Sequence, residues 1–129
     1  MPFEPLCPDP ASWRIALIAP EGDRLVLHLE PLRRAVSCPM CGTWSQHVHS
    51  RYRRRPWDVP WGRWPVQLVV HARRFLCDVP TCPQRILVAA FPRGLARDAR
   101  QTARLRHVLL ALAHACNAET AARLARGRG

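Results

Sequence analysis

Two close pairs of cysteines, Cys38 with Cys41 and Cys77 with Cys82, restrict what this chain can fold into more than any other feature of its sequence. A C-x2-C turn brings two sulfurs to one point. The 35 residues before the next pair are enough for an out-and-back hairpin that returns the chain to that point. Four thiolates in a tetrahedron are the donor set of closed, structural zinc sites. Pro39 stiffens the first turn, and Gly42 permits the unusual backbone angle after it. Pro80 and Pro83 constrain the looser C-x4-C half. In a reducing compartment, paired spacings of this kind mean metal or redox chemistry more often than disulfides. The expected ligands are therefore Cys38, Cys41, Cys77 and Cys82, and the expected ion is Zn2+. Two other readings stay open at this point: a set of buried free cysteines, and iron in place of zinc, which four-sulfur geometry alone does not separate. Cys7 and Cys116 lie outside the pattern. Cys116 reads as helix core and Cys7 as a free thiol.

A metal staple suits the size of the chain. At 129 residues it has room for one compact domain and a small appendage. A domain of that size buries a smaller share of its surface than a large one does. Thirteen prolines favour turns and broken elements over long strands.

Charge narrows the partner. The formal net charge is +11, but residues 1–32 carry two arginines against five acids, whereas residues 33–129 carry eighteen against four, a net +14. Such an excess is the electrostatic footprint of a nucleic-acid partner. The absence of any lysine also fits an arginine-biased proteome. The dense run Arg51, Arg53, Arg54 and Arg55 around Tyr52 is the first candidate contact surface, because arginine grips phosphate bidentately and aromatics stack. Arg73, Arg74, Arg100 and Arg104 complete the candidate set. Some arginines near the cysteines in sequence, among Arg33, Arg34, Arg73, Arg74 and Arg85, are expected to offset the charge of a thiolate-bound ion. His47 and His49 read as an exposed strand pair, with a phosphate contact as the alternative, and Trp57, Trp61 and Trp64 as plugs of a small core, with stacking on bases as the alternative.

Several functions find no support. Ser45 has no base placed beside it by any motif, Asp58, Asp78 and Asp98 are scattered, and there is no phosphate-binding loop or dinucleotide fingerprint. The N-terminus lacks a basic stretch followed by an apolar one. The apolar run Val108 to Cys116 is too short to span a bilayer. A cytoplasmic setting is expected.

The periodicities predict mostly strands. Residues 12–30 read as a β-hairpin around the turn Pro20-Glu21-Gly22-Asp23. Residues 46–54 read as a short basic strand, and Pro56 to Pro65 as a tight tryptophan-rich connection. Val66 to Leu76 reads as the best strand, with Val66, Leu68 and Val70 alternating. Ile86 to Phe91 adds a short strand. From Asp98 the spacing becomes helical, with Leu105, Leu109, Leu112 and Cys116 on one face. Asn117 is expected to stop that helix and cap a second one over Ala118 to Arg126.

The stretches CPMCG, VHSRYRRRPWDVPWGRWPV and RRFLCDVPTCPQRILVAAFP resemble the N-terminal zinc-finger region of ISL3-family transposases. The four cysteines map as Cys38, Cys41, Cys77 and Cys82. The tail NAETAARLARGRG is similar to the start of that family's helix-turn-helix region. The resemblance implies DNA binding, at transposon ends or to duplex DNA in general. Family members are longer and carry an acidic catalytic domain of RNase H type. That domain is absent from these 129 residues, so the expectation is a binding module and not an enzyme.

The expected fold class is α+β. Residues 1–35 form an N-terminal β-hairpin segment, 36–94 a four-cysteine zinc-ribbon-like module, and 95–129 a helical tail with a partial helix-turn-helix. The expected function is zinc-dependent DNA binding through arginine–phosphate contacts. The competing classes are a zinc-scaffolded adaptor or regulator with a protein partner, and an iron–thiolate electron carrier.

Overall fold

The computed structural model describes residues 6–127. Its spine is one long strand, β7 (Trp64–Leu76), to which most other strands are hydrogen-bonded. The hairpin of β1 (Trp13–Glu21) and β2 (Arg24–Pro31) forms where expected. Gly22, at φ +64°, opens its two-residue loop, a position where a short hairpin turn needs a left-handed residue. β2 then runs parallel to β7, with Leu25 opposite Val66 and Leu29 opposite Val70. Along the other edge of β7 lie β5 (Val48–Arg54) and β6 (Trp57–Trp61), both antiparallel to it. β8 (Ile86–Val88) pairs with the last residues of β7, on the β2 edge. A separate two-stranded sheet joins β3 (Val36–Ser37) to β4 (Trp44–Ser45).

Two hydrophobic clusters hold this sheet. The larger packs Leu27, Leu29, Val66, Leu68 and Val70 against Cys7, Trp13 and Leu95. The smaller surrounds Phe75 with Leu87 and three of the paired cysteines. The centre of β7 is more buried than alternation implied, because Gln67 and Val69 are buried as well as Val66, Leu68 and Val70. The stretch Pro56 to Pro65, expected as a tight connection, contains the strand β6 and a turn at Gly62 that leads into β7. Its tryptophans are not core plugs: Trp57 and Trp64 are exposed, and only Trp61 packs against the larger cluster.

The C-terminal part departs most from expectation. Instead of two helices there is one, α1 (Ala103–Gly127), running through Asn117 without a break. A single asparagine costs a helix only a few tenths of a kcal/mol, and the alanines on both sides favour continuation. The described residues thus contain no helix-turn-helix. The start of α1 is anchored by Thr102, whose hydroxyl accepts from the Leu105 N–H at 3.3 Å, a side-chain cap on the first turn. Leu105 is half-buried, but Leu109, Leu112 and Cys116 are exposed, so Cys116 is not core. Cys7 is the buried one, with its thiol 3.5 Å from the Trp13 carbonyl and its pKa pushed up by burial. Among the described residues, no helix is long and apolar enough to cross a membrane.

Candidate metal centre and basic surfaces

The two cysteine pairs converge at the end of β7. The first lies in the turn between β3 and β4, which the backbone closes with two bonds: Gly42 N–H to the Cys38 carbonyl and Cys38 N–H to the Thr43 carbonyl, each 2.9 Å. Gly42 sits at φ +74°, as the turn requires. The second pair flanks the turn that leaves β7. There the Cys77 N–H donates to the Arg85 carbonyl at 2.9 Å and the Cys82 N–H to the Val79 carbonyl at 3.1 Å. Ser45 ties the two halves together. Its hydroxyl donates to the Leu76 carbonyl and accepts from the His47 N–H. This buried serine is a brace between the two turns.

The four sulfurs lie within 4.8 Å of one another. Cys38 Sγ is 3.8 Å from Cys82 Sγ, and Cys41 Sγ is 3.7 Å from Cys77 Sγ. A zinc–sulfur bond of about 2.3 Å gives a tetrahedral edge of about 3.8 Å, so the cluster has the dimensions of a four-thiolate zinc site. The thiols also differ in a way that a cation would relieve. Hydrogen bonds from the side chain and backbone of Thr43 lower Cys41 to about 6. For Cys77, the Val79 N–H favours the thiolate, but burial and the neighbouring sulfurs outweigh it and push the thiol up to about 12. Burial raises Cys82 too. Adjacent sulfurs resist ionising together unless a metal supplies the opposing charge. Among the described residues, no arginine guanidinium is hydrogen-bonded to these sulfurs; the backbone N–H groups of Thr43, Val79 and Gln84 are. His47 is exposed and pairs with Asp78 at 2.8 Å, outside the sulfur cluster.

The candidate phosphate-contacting arginines separate into three places. Register across β5 and β7 sets Arg51 opposite Arg73 and Arg53 opposite His71, with Tyr52 opposite Ala72 on the other face. Arg51, Arg53 and Arg73 therefore share one side of the sheet, where they line a groove of about 780 Å³ together with Arg14, Glu30 and Arg34. Arg54 and Arg74 take the opposite side and stack on Tyr52, at 5.0 and 4.1 Å from the ring centre. Arg55 is exposed just beyond β5. At the start of α1, Arg100 is exposed, but Arg104 is bound to the carboxylate of Asp58 through Nε at 2.8 Å and through Nη2. Sequence reasoning missed Arg14, Arg34 and His71 as neighbours of this groove. Their only signal was charge, and the strand order that assembles them is not written in any local pattern.

Residues 34–82 match the family model described as the zinc-finger of transposase IS204/IS1001/IS1096/IS1165. The match begins just before β3 and ends on Cys82, so it contains all four cysteines of the cluster. No curated protein matches the chain. No solved structure matches it either. The match and the four-sulfur cluster together support a zinc-binding module.

Proposed function

Starting from the match of residues 34–82 to a transposase zinc-finger family, we propose that this chain is a DNA-binding module whose fold is held by zinc. The observation that carries the reading is the coincidence of the matched segment with a cluster of four sulfurs at zinc-site spacing. Cys38, Cys41, Cys77 and Cys82 would hold the ion. A zinc ion bound there supplies structural cross-linking and no chemistry of its own, because four thiolates leave no open position. The residues around it do the rest: Thr43, Val79 and Gln84 aim donors at the sulfurs, and the paired turns fix their spacing.

DNA is the partner that the charge favours. Residues 33–129 carry a net +14, and Arg51, Arg53, Arg55 and Arg100 are exposed. Contacts of this kind fall on phosphates, which fix position and carry little sequence information. A cytoplasmic, reducing setting would keep the thiols available to the metal. The role is binding, and the strand-transfer chemistry of the family is not assigned to these residues.

The test is equilibrium binding of the zinc-loaded chain to two unrelated DNA duplexes over a range of salt. The expected result is similar affinity for both, falling steeply as salt rises, because counterions are released from each contacted phosphate. No binding to either duplex at low salt would overturn the reading. One observation favours a second reading, a protein-interaction adaptor: α1 exposes Leu109, Leu110 and Leu112. That reading would gain if DNA binding failed while the zinc centre held.

A further inference from the structure

The groove on the sheet gathers charge that the protein itself leaves largely uncompensated. Its walls carry five guanidinium groups, from Arg14, Arg34, Arg51, Arg53 and Arg73, against the single carboxylate of Glu30. These residues come from β1, β2, the linker before β3, β5 and β7, so only the folded sheet brings them together. Glu30 already has a partner, since Arg14 donates to it at 2.5 Å. Arg73 is partly restrained by its neighbours. Its Nη2 donates to the Arg33 carbonyl, its guanidinium lies 5.2 Å from the Phe75 ring centre, and its buried Nε meets no acceptor. Burial first, and then the like charges of Arg51 and Arg34, disfavour its protonated form, against an opposing effect of Glu30. Holding such a set together costs free energy unless an anion enters.

We propose that this groove is the phosphate-gripping site of the module, that it takes one strand of a nucleic-acid backbone, and that Glu30 is a built-in counter-charge that limits its affinity. The inference rests on the DNA-binding reading above and places that binding on one face of the sheet. Two features select a backbone strand. The span from β1 across β2 and β7 to β5 is about 14 Å at ordinary strand spacing, too narrow for a whole duplex and wide enough for one of its strands. Arg51 and Arg53 stand two residues apart on the same face of β5, and guanidinium groups in a row suit successive phosphates. The N-terminal hairpin, outside the matched segment 34–82, supplies one wall through Arg14 and Glu30. A metal ion held by the four cysteines would fix the end of β7, three residues beyond Arg73. The contiguous run Arg51 to Arg55 is then two surfaces and not one, because the pleat sends Arg54 to the far side.

The experiment compares three variants of the full zinc-loaded chain, using two unrelated duplexes and, as a second source of phosphate, inorganic tripolyphosphate. Zinc content and circular dichroism establish that each variant is folded. Arg51→Ala with Arg53→Ala removes two exposed groove arginines, and the slope of log affinity against log salt should flatten by about two units on both duplexes. Arg63→Ala with Arg106→Ala removes the same charge from exposed positions outside the groove and should leave a steeper slope than the groove variant. Glu30→Gln should tighten duplex binding roughly two- to five-fold, the scale of one exposed ion pair, an improvement that structural damage does not produce. Tripolyphosphate should compete weakly, because it reaches few of the arginines at once. An unchanged slope in the groove variant, or a Glu30→Gln chain that binds duplex no better, overturns the groove while leaving DNA binding intact. Tripolyphosphate binding tighter than duplex binding would overturn the nucleic-acid strand as its occupant. If the native chain binds neither duplex, both the groove and the DNA-binding reading fall.

Discussion

Arg104, in the first turn of α1, donates to both carboxylate oxygens of Asp58, a buried residue of β6 forty-six positions earlier. Thr102 donates to the same carboxylate at 2.7 Å while accepting from the Leu105 N–H at 3.3 Å. Backbone bonds flank this knot: Trp57 N–H reaches the Arg100 carbonyl at 2.8 Å, and Thr102 N–H reaches the Trp57 carbonyl at 2.9 Å. One carboxylate thus fixes both the cap of the helix and its attachment to the sheet.

Replacing Asp58 should therefore loosen the helix from the sheet. Burial acts to raise the Asp58 pKa, but the bonds from Arg104 and Thr102 outweigh it and hold the carboxyl below its usual range. A depressed folded-state pKa gives stability that is complete above the unfolded value, near 3.9, and is lost as pH falls through the lower folded value. At neutral pH the full contribution is present. Asp58→Ala should cost about 3 kcal/mol, the lower end for breaking a buried pair, because Arg104 keeps some solvent contact. Thermal unfolding at pH 7 measures it. The double variant with Arg104→Ala should cost less than the sum of the single ones. Additive losses would mean that the two side chains do not act together.

Much of the fold was legible in the sequence, for local reasons. The hairpin of residues 12–30, the strand at Val66–Leu76 and the two cysteine turns each carry a short-range signature. What was not legible depends on contacts far apart in sequence. Nothing local says that β2 runs parallel to β7, and that pairing is what brings Arg14 and Glu30 beside Arg73. In the sequence Asp58 is one of several scattered acids, because its partner Arg104 is on another element. Arg104 reads as a phosphate contact from its charge alone, but that charge is engaged by Asp58. Asn117 reads as a cap, a role that the surrounding alanines override in the continuous α1.

The turn at Gly42 makes a separate test of the first cysteine pair. Its φ of +74° is unfavourable for any residue with a Cβ, but an added Cβ would meet nothing within 4 Å. The cost of Gly42→Ala is then backbone strain alone, roughly 1–2 kcal/mol. The melting temperature should fall while zinc remains bound. Unchanged stability would show that the turn does not need a left-handed residue there.

His71 should give duplex binding a dependence on pH. It lies in the lining, with its Nε2 2.9 Å from His28 Nδ1 and the two rings stacked. Burial lowers its pKa first, then the charges of His28, Arg53 and Arg55, against an opposing effect of Glu30. A lowered folded-state pKa means that stability is complete above about 6.5 and declines as pH falls from there through the folded value. Bound phosphate would favour the imidazolium, so duplex affinity should rise as pH drops from 7.5 toward 5.5. In His71→Gln that rise should shrink. Affinity measured against pH at constant salt decides it, and a flat profile in the native chain would count against His71 facing the bound phosphate.

The claim on which the whole account depends is that four thiolates hold one zinc ion and that the ion holds the fold. Elemental analysis of the chain purified without added metal tests this most directly. One zinc per chain is expected, with the metal lost and the fold melted when Cys77→Ser removes a ligand, since structural zinc binding is coupled to folding. Iron in place of zinc, or a Cys77→Ser chain that keeps both its zinc and its melting curve, would contradict it.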